Sequence, residues 1–436
     1  MLYSVYPTQT PAERAEVVDA AAAHAAHMRT DAVGTNSGGT NAVGTNAADA
    51  DATGTNAVGT DAVGTNASGM SATGTNPTGT NPTGTNPTGT NSGGTNPTGT
   101  NAAGADASLL FTSLHIPEAE GLAAYGDWMA EVHARTGLEF CADVSPVTLG
   151  KLGCAIDELG RLRDWGVRML RIDFGFGTDD VRRIAASGDY AIAVNASCAS
   201  ADFIDAFQGI ELVGWHNYYP RPETGLTVEY FRAQSALFAD RGLPVYSFIP
   251  GERSFRAPLH QGLPMLEHQR YRNAYLNLVE VATLWPASQI VCAEGTLYPR
   301  HQRWIERFER DHVLTIPLVS VDASLDFLIG GDWKLRVEQT DAAWRVEGTR
   351  QARTPSLVIN ADVRARGSVQ MDLAGYGRYA GEINLMKQDR PLNHLQARVG
   401  DIAAPYLDLV DLMSPDTPVR FVRWQDCDTE GDDCDD

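Results

Sequence analysis

Residues able to move protons or hold anions recur in this sequence at the carboxyl ends of short apolar runs. Asp143 and Ser145 close LEFCADVS, Arg171 and Asp173 fall in RMLRIDFGF, and Asn195 and Ser197 close YAIAVNAS. FTSLHIPE supplies Ser113, His115 and Glu118, and LVGWHNYYPR supplies His216, Asn217, Tyr219 and Arg221. LYSVYP carries Tyr6 and QIVCAEG carries Glu294. Several carboxylates with no metal-type spacing suit acid/base or glycosidic chemistry. There one carboxyl protonates the leaving oxygen and a second acts as nucleophile or base. Asp143 and Asp173, on neighbouring runs, are the expected catalytic pair, with Glu118, Glu267 and Glu294 in reserve. The competing reading of any one of them is a carboxylate neutralised by an adjacent arginine, as Arg171 beside Asp173 illustrates. Which carboxylate keeps its proton is set by environment.

Other chemistries are narrowed by what the chain lacks. Its only lysines are Lys151, Lys334 and Lys387, and none ends one of these runs, which argues against a Schiff-base aldolase. Phosphate recognition then falls to arginine, whose planar fork suits it; Arg221, Arg253 and Arg256 are placed for that work. A net charge of −21 argues against a nucleic-acid partner. The six cysteines show no compact four-ligand pattern, so buried reduced thiols are expected and neither metal nor cofactor is implied. No run reaches the ~20 apolar residues of a membrane span. A strand-like run begins at Leu2, so no signal peptide and a cytoplasmic location are expected.

The elements that must position these residues emerge once a repeat is set aside. From Gly34 to Gly104 a glycine recurs every fifth residue except at Asp49, with mostly small residues, Thr, Asn and Pro between. No large apolar side chain recurs to fill a core, so residues 31–107 read as a disordered low-complexity insertion. It follows a helical stretch from Pro11 to Met28 and precedes an apolar run, so it falls in a helix-to-strand loop. Around it, eight apolar runs alternate with helical patterns, from LYSVYP through QIVCAEG. Parallel βα units of that number predict a closed (β/α)8 TIM barrel over residues 1–312, with its active site at the strand carboxyl ends. Polar groups gathered there carry a desolvation cost that hydrogen bonds or a ligand must offset. Residues 313–424 read as short alternating strands of a small antiparallel β-rich domain, and residues 425–436 as a disordered acidic tail.

The strand-end motifs also carry a likeness. FTSLHIPE, ADVSP, LRIDFGF, VNAS, HNYYPRPETGL and APLHQGLPMLEHQRYR resemble the MupG-type 6-phospho-N-acetylmuramidases. The likeness continues through GYGRYAGEINL and ARVGDI, similar to that family's cyclophilin-like C-terminal domain. The resemblance implies a cytosolic hydrolase of peptidoglycan recycling that cleaves N-acetylmuramic acid 6-phosphate from N-acetylglucosamine. It makes Asn195, His216, Asn217, Tyr219, Arg221, Arg256 and Glu267 sugar- or phosphate-binding candidates, beside Glu118, Arg171 and Glu294, which their strand-end positions suggest as further substrate contacts. Two departures stand out: strand eight ends in Glu294-Gly295 where the family usually has Gly-Asp, and Met265 replaces a threonine. A metal-dependent phosphosugar isomerase or epimerase, using His115, Asp143, Asp173, His216 and Glu294, and a non-catalytic carbohydrate-binding protein are the alternatives.

Overall fold

The computed structural model describes residues 1–34, 108–116, 121–172, 175–356 and 363–427. The repeat beyond Gly34, Glu118, Asp173 and the acidic tail after Cys427, with Cys434, lie outside the described residues. Eight parallel strands close into a barrel in sequence order: β1 (Leu2–Ser4), β2 (Leu109–Ser113), β3 (Glu139–Val144), β4 (Val167–Ile172), β5 (Ala191–Asn195), β6 (Leu212–Trp215), β7 (Val245–Ile249) and β8 (Ser288–Cys292). β8 returns to pair with β1. Inward side chains fill the barrel and outward ones meet helices, so the strands are buried on both faces and their sequences are apolar runs rather than strict alternations. Every residue of β2 and of β7 is buried.

The helices are α1 (Pro11–Gly34), α2 (Leu122–Thr136), α3 (Pro146–Leu152), α4 (Thr178–Gly188), α5 (Ala201–Asp205), α6 (Val228–Ala239), α7 (Ala274–Leu284) and α8 (Pro299–Asp311). Local sequence fixes where several begin. The side chains of Ser145, Ser200, Thr227 and Asn273 accept from first-turn amides of α3, α5, α6 and α7. Each cap occupies a donor the helix cannot satisfy itself, and Ser145 does so directly after the end of β3. α1 runs past Met28 to Gly34, and the next described strand is β2.

After α8 the chain forms β9 (Leu314–Val319), β10 (Asp332–Trp333), β11 (Ala343–Arg345), β12 (Val363–Arg364), β13 (Ser368–Asp372), β14 (Ile383–Met386), β15 (Arg390–Pro391), β16 (Gln396–Ile402) and β17 (Val419–Arg423). Seven of these make one sheet in the order β10-β17-β9-β16-β13-β14-β11, around a core that includes Val369, Met371, Leu385, Val399 and Phe421. The expected antiparallel pattern holds except between β9 and β17, which run parallel. β17 reaches its place by a long connection from β16 through a short helix, α9 (Leu409–Leu412), and such a crossover permits parallel pairing.

The sheet is joined to the barrel by polar as well as apolar contacts. Glu252, after β7, accepts from the amides of Ala274 and Tyr298 and from His301 Nδ1, while His301 Nε2 meets the Tyr406 hydroxyl. Tyr275 on α7 hydrogen-bonds both the amide and the carbonyl of Thr315 on β9. Three cysteines depart from the expected burial: Cys198 is exposed in the turn after β5, and Cys154 and Cys427 are half-buried. Cys141 and Cys292 are buried, and burial pushes both thiols up. No helix among the described residues is long and apolar enough to cross a membrane.

Candidate active site

Strand register brings the first cluster together. Asp143 on β3 lies directly opposite Arg171 on β4, and Asp143 Oδ1 accepts from the guanidinium at 3.0 Å. Asp143 Oδ2 stands 3.1 Å from Nδ1 of His115, just beyond β2, and the Ser113 hydroxyl lies 3.3 Å from the same nitrogen. Arg171 also reaches Asn217 Oδ1 at 3.5 Å. Asn217 in turn donates its amide to Ser197 Oγ, which lies 3.2 Å from His216 Nδ1. Side chains from β2, β3 and β4, and from the segments after β5 and β6, thus form one polar chain across the barrel's carboxyl end. Charged groups so little exposed require such pairing, because an unpaired ion there would cost several kcal/mol, on the order of 3–5.

A second cluster joins the first through Tyr218, whose backbone amide donates to Asn217 Oδ1 at 3.1 Å. The Arg256 guanidinium sits 4.8 Å from the Tyr6 ring centre and 5.3 Å from that of Tyr218, and donates to the Tyr218 hydroxyl at 2.8 Å. Tyr6 donates to the Ala293 carbonyl at 2.6 Å. Phe111, Trp215 and Phe248 pack beneath these tyrosines, several edge to face, and make a rigid apolar floor. Glu294 lies under the loop that carries Arg256: its Oε2 accepts from the Arg256 amide at 2.6 Å, and its Oε1 has no hydrogen-bond partner. Burial pushes the Glu294 carboxyl up to about 7, against the pull of the Arg256 amide and charge.

Of the expected sugar contacts, His216 and Glu294 are buried beneath the mouth, and Glu267, partly exposed, is engaged by neighbouring backbone and an arginine. His216 is fully buried, with its ring nitrogens engaged by Ser197 and Ser235; burial, reinforced by the Arg171 charge, brings it down to about 3, so it stays neutral. Glu267 accepts from the amides of Glu223 and Gly225 and from both arms of Arg270, whose hydrogen bonds hold its carboxyl well below the usual range. That clamp fixes the loop following β6. Glu294, 1% exposed, supports the loop after β7. Asn195, Asn217, Tyr219 and Arg256 are half-buried around the mouth and Arg221 is exposed at its edge. Arg253 turns away to pair with Glu16 at 3.0 Å.

Sequence reasoning passed over Tyr218 in favour of Tyr219, and named His115 without retaining it as a catalytic candidate. Position after a strand gave the signal for both; their contacts depend on which way each turn folds. Among the described residues, no group of three or more His, Cys, Asp or Glu is placed to hold a metal ion.

A (β/α)8 barrel whose strand ends carry carboxylate, imidazole, guanidinium and amide groups over an aromatic floor defines the class. Sequence models of the N-terminal and C-terminal portions of 6-phospho-N-acetylmuramidase match residues 100–299 and 319–422. The chain belongs to the 6-phospho-N-acetylmuramidase family. Among solved structures it is similar to a conserved protein of unknown function from a locus in Enterococcus faecalis. That likeness has 25% identity and a TM-score of 0.63, over 74% of this chain and 90% of that one. An uncharacterized B. cereus protein shares the fold, at 20% identity and a TM-score of 0.59, over 72% of this chain and 91% of that one. No curated protein matches the chain.

Proposed function

We propose that this protein is a glycoside hydrolase that releases N-acetylmuramic acid 6-phosphate from N-acetylglucosamine. The substrate would be a disaccharide phosphorylated as cell-wall fragments are taken up, which places the reaction in the cytoplasm and in peptidoglycan recycling. Family membership supports the reaction class, and the observation that carries the reading is the Asp143 cluster at the strand ends. Arg171 and the His115 imidazole engage the two oxygens of Asp143, so an acid, a base and a cation meet in one group at the barrel mouth, as glycosidic acid/base chemistry requires. Asp173, two residues beyond Arg171, is the proposed second carboxylate. Arg256, held over Tyr6 and Tyr218 with Arg221 near the edge, supplies forks for the phosphate. Tyr219, Asn195 and Asn217 are proposed to bind sugar hydroxyl and acetamido groups, and Glu118 remains a proposed sugar ligand.

The test is incubation of the purified protein with phosphorylated and plain muramyl disaccharides, with products resolved by mass spectrometry. The expected products are muramic acid 6-phosphate and free N-acetylglucosamine, from the phosphorylated substrate only. Intact disaccharide after prolonged incubation would count against hydrolysis. Equal cleavage of both substrates would count against phosphate recognition.

A further inference from the structure

Cleavage of a sugar–sugar bond at neutral pH needs a proton delivered to the departing oxygen. Asp143 is badly placed to deliver it. Its carboxyl is 3% exposed, with Oδ1 held by Arg171 at 3.0 Å and Oδ2 at 3.1 Å from the His115 imidazole. A carboxylate gripped in this way presents lone pairs to its neighbours, not a hydrogen. The imidazole differs in access: the His115 side chain is 20% exposed, whereas Asp143 and Arg171 are nearly sealed. Of these three side chains it is the one that solvent reaches. His115 also stands two residues past the end of β2, where the barrel opens.

On the hydrolase reading above, we infer that His115 is the catalytic residue that protonates the departing sugar oxygen, and that Asp143 is its positioning residue. Asp143 takes the Nδ1–H, which fixes the ring's orientation and leaves Nε2 as the nitrogen that carries the transferable proton. The Ser113 hydroxyl, 3.3 Å from Nδ1, braces the ring from its own strand. In the step, the Nε2–H bond breaks and the proton passes to the glycosidic oxygen. The anomeric C–O bond breaks with its electron pair going to that oxygen. Water adds at the anomeric carbon, and the proton it sheds returns, through solvent, to the imidazole. The sum is one water consumed and two sugars released, with His115 unchanged.

The experiment compares two leaving groups on the same phosphorylated muramic acid: N-acetylglucosamine, a poor leaving group that needs protonation, and 4-nitrophenolate, which departs without it. His115→Ala should lose at least ~10²-fold in kcat on the disaccharide and less than roughly fivefold on the aryl glycoside. His115→Gln, which keeps a hydrogen-bonding side chain beside Asp143, should show the same split. It serves as the test if the alanine variant melts well below the wild type. Asp143→Asn should show the same order with a smaller gap, as a positioning role requires. Equal loss on both substrates, or no loss, would overturn the assignment while leaving the hydrolase reading intact. Failure of the wild type on both substrates would overturn the hydrolase reading and this one with it.

Discussion

Asp143 and Arg171 face each other across the β3–β4 ladder and close an ion pair at 3.0 Å, with the two side chains 3% and 2% exposed. A charge this far from water is tolerated while its partner is present and becomes expensive when the partner is removed. Arg171→Met should therefore cost about 3–5 kcal/mol in urea melts, because it strands Asp143. Removing both charges in Asp143→Leu/Arg171→Met should recover a good part of that loss. A single-variant cost below about 1 kcal/mol would mean that water reaches the pair.

Glu294 gives stability a pH dependence of defined sign. Burial raises its carboxyl from 4.5 to about 7 in the folded protein. Between those values the folded state holds a proton that the unfolded chain has released, so stability from this group falls as pH rises through that window. Glu294→Gln stays neutral and can still accept from the Arg256 amide. Its stability relative to wild type should improve from about pH 4.5 to about pH 7 and level off above, by at most on the order of 3 kcal/mol. Parallel stability–pH curves for the two proteins would show that Glu294 does not titrate there.

Arg256 is the proposed phosphate contact whose direction is already fixed, stacked on Tyr6 and tied to the Tyr218 hydroxyl. Arg256→Ala should raise KM for the phosphorylated disaccharide by at least ~10-fold, and Arg256→Lys should recover little, since a point charge replaces a planar fork. An unphosphorylated analogue is the control. Equal effects on both ligands would assign Arg256 to general packing.

The loops after β7 and β8 pass so close that only glycine fits between them. A Cβ at Gly251 would lie 1.9 Å from the Glu294 carbonyl oxygen, and neither backbone can yield without moving its strand end. Gly251→Ala should lower Tm by at least about 3 °C and depress activity, by separating Glu294 from the loop it supports. Gly150→Ala, where a Cβ meets nothing within 4 Å, is the matched control and should be close to neutral.

The barrel was legible because parallel strands buried on both faces must be apolar throughout, and runs such as YAIAVNAS have little other use. Asp143 and Arg171 were legible for the same reason: a charge ending such a run is costly unless something answers it. His216 carried the same signal, yet its answer is two serine hydroxyls rather than a ligand, and the serine on α6 is nineteen residues away in sequence. Glu252, His301 and Tyr406 gave no sign at all, since their meeting depends on how the sheet docks against α7 and α8. The parallel pairing of β17 with β9 was hidden likewise, because alternation within a strand says nothing about its neighbour's direction.

The Glu252–His301–Tyr406 chain bears on any attempt to divide the protein. A fragment stopped before β9 would take Tyr406 from His301 Nε2, remove the Thr315 contacts of the Tyr275 hydroxyl and bare the face of Trp304 that packs on Tyr406. All of this would happen on α7 and α8, the helices that follow the loops carrying Arg256 and Glu294. Chimeras assembled from two relatives face the same constraint: a graft succeeds only if the incoming half brings a tyrosine that fits the resident histidine.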